Sequence, residues 1–286
     1  MHQGPAPALA GSGRLCWNQL LCGQASIVST TPRSQRLRRE WQIFLLALGF
    51  LSRLPVPPDP DFSQDKLDGA ARYFPAVGLL LGAISAVALL TFDALFNNLP
   101  LAVLLSMGVG LMVSGAFHED GLADSADGFG GGWQRDDVLR IMKDSRIGSY
   151  GTVALVMVLG IKALALSSLS SASSAALALL LAQPLSRWLA VSYLVDLQYV
   201  SGEGKSKPLA TALPLSHWWL AGLAVLLPAL FIDVGHWLLM TFSLLVFRIV
   251  FARYLQRRLG GYSGDALGAA QQFSELLIYL SLLVAL

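Results

Sequence analysis

The sequence has little charge and almost no cysteine. Charged residues make up 13% of its 286 residues and the net charge is +2, so there is neither a strong field for nucleic acid nor a basic stripe with interleaved aromatic residues. Its two cysteines, Cys16 and Cys22, both lie near the N terminus. A disulfide framework or a four-ligand zinc site therefore cannot form in the body of the chain, and we expect no nucleic-acid partner.

Hydrophobic residues, in contrast, are abundant. They make up 55% of the chain, and the mean hydropathy is +0.59, which is outside the usual range of soluble domains. Six apolar runs each approach the roughly 20 residues of a spanning helix; they lie at about 74–96, 99–118, 148–170, 173–195, 216–233 and 235–252. A seventh lies at about 270–286. Strand-like alternation is absent, so we predict an all-α, polytopic transmembrane bundle of six to seven spans.

The long polar connections are predicted to lie on one side of the membrane. Short connections between the runs alternate with long ones, which cover residues 53–73, 119–147, 196–215 and 253–269. The long ones carry 3, 4, 2 and 3 lysines and arginines, whereas the short ones carry none. By the positive-inside rule, the long connections face the cytoplasm.

The N-terminal part of the chain differs from the rest. Residues 1–40 are rich in glycine, proline, serine and glutamine and end in an arginine cluster, so we expect a disordered extension or a mis-assigned start. Residues 41–286 are expected to form a single membrane-embedded catalytic domain. Its first segment, Trp41 to Leu51, is too short to span and is expected to be an interfacial or re-entrant helix.

An acidic motif follows the second apolar run. Asp120, Asp124 and Asp127 are spaced by four and three residues, so on a helix they share one face. Their mutual repulsion favours a bound cation, and oxygen ligands favour a hard ion such as Mg²⁺. The simpler interpretation is a solvated helix end. Of the four histidines only His118, beside Glu119, is placed to join such a site.

Glycines and basic residues follow the acids. Gly128 begins a glycine-rich patch, and Lys143, Asp144 and Arg146 come shortly afterwards. A diphosphate requires metal ions on its oxygens, cations for its remaining charge, and glycine where the backbone approaches it closely. The mixture therefore indicates phosphate chemistry, although the glycines alone are equally typical of turns.

Three further polar positions stand out. Arg187 lies inside an apolar run just after Pro184 and is a candidate for substrate binding. Asp265 follows Gly264 in a connection on the same side as the acidic motif, and both are candidates for substrate binding. Lys162 also lies within an apolar run, and the sequence assigns it no role.

The motifs resemble those of the cobalamin synthase family, also called adenosylcobinamide-GDP ribazoletransferase or cobalamin 5′-phosphate synthase. The resemblance rests on GAFHEDGLADSADGFGGG at 115–132 and IMKDSRIGSYG at 141–151, supported by FLSRLPVP, YFPAVGLLLG and GGYSGDALGA in the same order. It covers the chain from about residue 41 to the end, and the two long motifs are specific to the family. The first 40 residues depart from the family pattern.

The resemblance implies a multi-pass enzyme of vitamin B12 biosynthesis in the bacterial inner membrane, with its active site facing the cytoplasm. α-Ribazole or its 5′-phosphate would attack the diphosphate of adenosylcobinamide-GDP and displace GMP. Mg²⁺ held by Asp120, Asp124 and Asp127 would bridge the diphosphate, with Asp120 counted among the catalytic residues, and Glu119 or Asp144 would act as base. Lys143 and Arg146 would stabilise the developing charge. Other cobalamin-pathway enzymes are expected as partners, besides the lipid bilayer.

Two other classes of protein remain as alternatives. A CDP-alcohol phosphotransferase also uses spaced aspartates at a membrane face, but the full pattern of that family is not found here. A cation transporter would place its acids near the middle of the membrane in broken helices. Here the acids follow the end of a run, which favours an enzyme.

Overall fold

The computed structural model describes residues 33–200 and 212–284, and helices dominate this part of the chain. The helices are α1 (Arg33–Leu51), α2 (Gln64–Gly69), α3 (Phe74–Phe96), α4 (Leu99–Ser114), α5 (Phe117–Gly131), α6 (Arg135–Met142), α7 (Ser149–Ser167), α8 (Ala172–Asp196), α9 (Leu215–Ala221), α10 (Leu223–Ala229), α11 (Val234–Arg258) and α12 (Gly264–Ser281). Within these residues extended pairing is limited to an isolated bridge between Tyr199 and Tyr262. The prediction of an all-α membrane bundle is confirmed.

Four helical segments are long and apolar enough to cross a membrane. They are Gln64–Phe96, which joins α2 and α3 through a 3-10 turn, Ser149–Ser167, Ala172–Asp196 and Val234–Arg258. Helices α4 and α5 pass the same test only as a pair, and the two are bent by 89°. By length and composition the described residues therefore contain four or five spans, fewer than the apolar runs predicted.

The remaining runs fall short for local reasons. The run at 216–233 is divided between α9 and α10 at Gly222, where a Cβ atom would lie 2.9 Å from the Trp188 ring. The run near the C terminus forms α12, whose buried face includes Gln271, Gln272 and Glu275. Buried polar side chains of this kind lower the hydropathy of a helix without exposing it to water.

Helix α1 is longer than the sequence predicted. It begins at Arg33, so residues 33–40 of the segment expected to be disordered are helical. Residues 1–32 lie outside the described part of the chain. Ile43, Ala47 and Leu51 bury one face of α1 against the start of α3, whereas Trp41 is 59% exposed. This arrangement agrees with an interfacial helix whose aromatic side chain lies at the edge of the bilayer.

Helices α3 and α8 form the centre of the bundle. Gly78 and Gly82 are four residues apart on α3 and face the backbone of α8. A Cβ atom on Gly82 would lie 2.8 Å from the carbonyl oxygen of Leu179. Small residues at this spacing allow two helix backbones to approach closely in a membrane, where van der Waals packing drives association.

The four long polar connections meet on one side of the bundle, as predicted. Ala71, Val138, Val200 and Tyr262, one from each connection, belong to a single buried cluster. The backbone N–H of Val200 also donates to Tyr262 O at 2.8 Å, and that of Tyr262 donates to Gln198 O at 2.9 Å. The polar residues of all four connections are therefore neighbours in space.

We predict that Gly82→Ala destabilises the bundle, since its Cβ meets backbone that cannot move independently; overpacking of this kind costs about 1–3 kcal/mol. Gly108→Ala is the matched control, because its Cβ would meet nothing within 4 Å and alanine favours a helix by about 0.8–1 kcal/mol. Thermal unfolding in detergent should show a lower midpoint for Gly82→Ala alone. Equal midpoints for the two variants would refute the close contact.

Candidate active site

The site is built on the sharp turn between α4 and α5. Gly115 and Ala116 both adopt left-handed backbone conformations, with φ of 70° and 55°. A side chain at Gly115 would be strained and would also collide with Arg53, 2.6 Å away. Two successive left-handed residues end α4 and redirect the chain by 89°. Helix α5 has 15 residues and begins with two acids, so on its own it is too short and too acidic to span a membrane.

Helix α5 carries the acidic motif. Glu119 and Asp120 lie in its first turn, where the positive end of the helix dipole stabilises negative charge. Asp120 is exposed, Asp124 is partly buried and Asp127 is buried. The spacing that predicted one helical face is thus realised, but the three carboxylates meet different surroundings.

Helix α12 crosses α5 with the two backbones in contact. A Cβ atom on Gly121 would lie 2.9 Å from Asp265 O and 3.2 Å from Gly268 Cα. On the other helix, a Cβ atom on Gly268 would lie 3.1 Å from His118 O. Ser263 caps α12 by accepting from Ala266 N at 3.2 Å, which fixes Asp265 in the first turn. The crossing therefore places Asp265 beside the acids of α5.

Asp120, Asp124 and Asp265 form what we call the acidic cluster. Burial, and after it the charges of Asp120 and Asp265, raises the pKa of Asp124 to about 7. Burial and the charge of Asp120 raise the pKa of Asp265 to about 6, against the opposing effect of Lys143. Each acid is thus close enough to destabilise the charge of its neighbours.

Asp127 has a structural role that the sequence did not predict. One of its carboxylate oxygens accepts from Gly148 N at 2.7 Å and the other from Gly151 N at 2.9 Å. A Cβ atom at either glycine would collide with this carboxylate. Asp127 therefore anchors the start of α7, and each of its oxygens has one of its two lone pairs engaged by a backbone amide.

The donor chemistry of the acidic cluster fits Mg²⁺, although a complete metal cage is not preformed. Across residues 33–200 and 212–284, no three His, Cys, Asp or Glu side chains are arranged to hold a metal ion. Mg²⁺ commonly keeps several waters and binds through one or two carboxylates together with substrate phosphates. Carboxylates whose mutual repulsion a bound cation would relieve are suitable ligands for such an ion.

The basic motif lies in the turn between α6 and α7. Arg146 binds Asp144 through two side-chain hydrogen bonds of 3.1 and 2.8 Å. Both residues lie near the surface, and these bonds lower the pKa of Asp144 to about 2. Asp144 is therefore a weak base in this conformation. Lys143 ends α6 at an exposed position, and its charge acts on Asp265.

Three other predicted residues face the interior of the bundle. His118, Glu119 and Arg187 line a cavity of about 60 Å³. Glu119 Oε1 accepts from Gln272 Nε2 at 2.8 Å, whereas its Oε2 is buried without a hydrogen-bond partner. Arg187 Nη1 donates to Gln183 Oε1 at 2.6 Å. The structure therefore separates this group from the exposed part of the acidic cluster.

The two predicted glycines have unlike surroundings. A Cβ atom on Gly128 would lie 2.6 Å from Met142 Cγ, so glycine here allows α6 to pack on α5. Gly264 has open space around it and borders Asp265. Arg258, in the last long connection, donates to Gly132 O at 2.6 Å and so holds the end of α5.

Sequence reasoning missed the interior partners of Glu119. Lys162 forms an ion pair with Glu275 and donates to Gln272 Oε1 at 2.6 Å. All three side chains are buried. The signal was present, because a charge within an apolar run usually has a partner in the bundle interior, and Gln272 and Glu275 lie within the last apolar run.

Comparison with known proteins identifies the family. The sequence profile of cobalamin-5-phosphate synthase matches residues 43–283. The chain belongs to this family. It is 42% identical over 257 residues to the adenosylcobinamide-GDP ribazoletransferase of Vibrio parahaemolyticus, covering 89% of this chain and 97% of the relative. For the enzymes of the same name from Vibrio cholerae and Ralstonia pickettii, the identities are 46% and 44%, with 87% and 86% of this chain and 96% and 97% of the relative covered.

The family membership inferred from the motifs is therefore confirmed, over nearly the range of residues that the motifs predicted. No solved structure is significantly similar to this chain. The geometry of the site described above must accordingly be interpreted from this chain's own residues.

We predict opposite effects on stability for two neighbouring aspartates in metal-free protein at pH 8. Asp127→Asn should lower the free energy of unfolding by about 1.5–3 kcal/mol, because it weakens charged hydrogen bonds to two backbone amides. Asp124→Asn should preserve or raise stability. The folded-state pKa of Asp124, about 7, lies above its ordinary 3.8, so its ionisation costs stability as the pH rises between those values.

Chemical unfolding in detergent with chelator would measure both variants. Asp124→Asn should also flatten the pH dependence between pH 4 and 7. If Asp124→Asn were the more damaging variant, the assignment of Asp127 as the anchor of α7 would be wrong.

Proposed function

We propose that this chain is a magnesium-dependent adenosylcobinamide-GDP ribazoletransferase. It would join α-ribazole or α-ribazole 5′-phosphate to adenosylcobinamide-GDP, release GMP and yield adenosylcobalamin or its 5′-phosphate. The observation that carries the proposal is the acidic cluster of Asp120, Asp124 and Asp265 with Lys143 beside it. The names of relatives that align over almost their whole length support it.

Asp120, Asp124 and Asp265 are the residues that would hold the metal. Bound Mg²⁺ supplies electrostatic stabilisation of the diphosphate oxygens. We propose Asp265 as the third ligand instead of Asp127, because each oxygen of Asp127 already accepts from Gly148 N or Gly151 N and so has fewer lone pairs for a metal. The open space around Gly264 leaves room for a diphosphate next to Asp265.

Glu119 and Asp144 are the candidate bases. In the reaction, the hydroxyl oxygen of ribazole bonds to the phosphorus attached to cobinamide, and the bond from that phosphorus to the oxygen of GMP breaks. Glu119 Oε2 has no hydrogen-bond partner but lines the interior cavity, so it would take the hydroxyl proton only if the ribazole hydroxyl enters that cavity. Asp144, with a pKa of about 2, is poorly matched to this task.

Lys143 and Arg146 would bind the phosphates. Arg146 would exchange Asp144 for a phosphate oxygen, and this exchange costs little because an exposed ion pair contributes about 0–1 kcal/mol. A guanidinium offers two parallel donors to phosphate, and lysine offers a compact charge. Both would stabilise the negative charge that develops on departing GMP.

The alternative functions are less well supported. A CDP-alcohol phosphotransferase would use similar metal chemistry, but the family match covers residues 43–283 with a different profile. For a cation transporter, the site would be expected near the middle of spanning helices. Asp265 instead lies at the start of α12, in the cluster of long connections.

We predict that Asp124→Ala lowers turnover by at least about 100-fold, as loss of a transition-state electrostatic contact would. The assay is GMP release by purified protein with adenosylcobinamide-GDP and α-ribazole, with Mg²⁺ or with chelator. Asp136→Ala, which changes an exposed acid of α6, is the control and should retain activity. Product formation that is unaffected by chelator and by Asp124→Ala would refute the site.

We further propose that the chain lies in the bacterial inner membrane with the acidic cluster facing the cytoplasm. The supporting observation is that the lysines and arginines of the connections are concentrated in the four long ones, which meet in one buried cluster on the side of the site. Positive charge of this kind is retained on the cytoplasmic side.

Labelling of two exposed serines tests this orientation. In a chain whose Cys16 and Cys22 are replaced by serine, a membrane-impermeant maleimide should label Ser170→Cys in intact spheroplasts. It should label Ser145→Cys only after permeabilisation. Ser170 is in a short connection and Ser145 is in the connection that carries Lys143. The reverse pattern would place the site outside the cytoplasm.

A further inference from the structure

A buried ion pair lies behind the acidic cluster. Lys162 on α7 and Glu275 on α12 are in contact, and their side chains are each 4% exposed. A charged pair in such surroundings has a large desolvation cost, and an apolar pair of similar size often replaces it without loss of stability. Packing and stability therefore do not by themselves explain why this position holds two charged residues.

Gln272 connects this ion pair to α5. Lys162 Nζ donates to Gln272 Oε1 at 2.6 Å, and Gln272 Nε2 donates to Glu119 Oε1 at 2.8 Å. An ammonium has donors only, so it can bind only the carbonyl end of the amide. Lys162 thereby turns the NH₂ end of Gln272 towards Glu119, which is the end that a carboxylate requires.

The other side of the pair is also constrained. Glu275 Oε1 accepts from Gln271 Nε2 at 2.6 Å, and Gln271 Nε2 lies 3.0 Å from Ser186 Oγ on α8. Arg187 Nη1 lies 4.0 Å from the same Glu275 oxygen. Glu275 is therefore held by α8 as well as by α7, which leaves Lys162 little freedom to change partners.

From these contacts we infer that Lys162 and Glu275 are positioning residues, which act through Gln272 and Glu119 to hold the first turn of α5 and with it Asp120 of the acidic cluster. The inference rests on the proposed function, because it gives the position of α5 a catalytic purpose. Gln272 holds Oε1 of Glu119 and leaves Oε2 without a partner at the cavity. The order of charges in the pair, rather than its presence alone, sets the direction of the amide.

Reversing the pair tests positioning, and unfolding in detergent is measured alongside turnover because the ammonium introduced at position 275 approaches Arg187. In the double variant Lys162→Glu with Glu275→Lys, an ion pair can still form, but residue 162 now attracts the NH₂ end of Gln272 and turns the carbonyl towards Glu119. We expect kcat to fall about 10- to 100-fold, the effect of misplacing a reacting group by about 1 Å. The KM for adenosylcobinamide-GDP should stay within about twofold. A folded reversed pair with wild-type kcat would overturn the inference.

Gln272→Met provides a second test in case the reversed pair does not fold. It removes the hydrogen bond to Glu119 and keeps both charges. Arg248→Met is the control, since Arg248 pairs with Asp196 elsewhere in the bundle. We expect low kcat and faster amide hydrogen exchange confined to residues 118–128 for Gln272→Met alone. Wild-type kcat, or faster exchange throughout the bundle, would show that the network has only a structural role.

Hydrogen exchange also distinguishes the failure of this inference from that of the proposed function. If the wild-type protein formed no product, the proposed function would fail. The amide hydrogen exchange of residues 118–128 would still test the network, because this measurement does not depend on turnover. Faster exchange there in Gln272→Met would support the positioning of α5, and unchanged exchange would refute it.

Discussion

The contact between the backbones of α5 and α12 is the constraint on which the site depends. Gly121 and Gly268 lie against each other without side chains between them. This contact sets the positions of Asp265 and Gln272 relative to α5. Asp265 lies in the first turn of α12 on one side of the crossing, and Gln272 contacts Glu119 on the other. The turn at Gly115 and Ala116, which redirects α5 away from α4, makes the crossing possible.

The charged groups on the two sides of α5 are balanced to different extents. In the interior, Lys162 and Arg187 are matched by Glu275 and Glu119, so the charge of the network is balanced where water is scarce. On the other side, the acidic cluster is unbalanced, and Lys143 offsets it only in part. Balanced charges are suited to holding a structure, and unbalanced ones are suited to binding a cation or a metal-bound phosphate.

The sequence predicted the helical fold, the side on which the polar connections meet, and the acidic face of α5, because these depend on local periodicity and charge. It did not identify the role of Asp127, since spacing along a helix does not show that Gly148 and Gly151 pack on one end of the face. The pairing of Lys162 with Glu275 and the approach of Asp265 depend on which helices cross. The local sequence pattern does not show which helices cross. The run at 216–233 looked long enough to span, but its helical part, Leu215–Ala229, is shorter than a membrane span.

The ligand set of the acidic cluster is tested most directly by metal binding rather than by turnover. The measurement is the electron paramagnetic resonance signal of free Mn²⁺, titrated into detergent-solubilised protein with GDP as the diphosphate probe. Wild-type protein and folded Asp127→Asn protein should remove Mn²⁺ from solution with similar affinity, and Asp265→Asn should lose most of this binding. Retention of binding by Asp265→Asn together with its loss in Asp127→Asn would contradict the assignment of Asp120, Asp124 and Asp265 as the metal site.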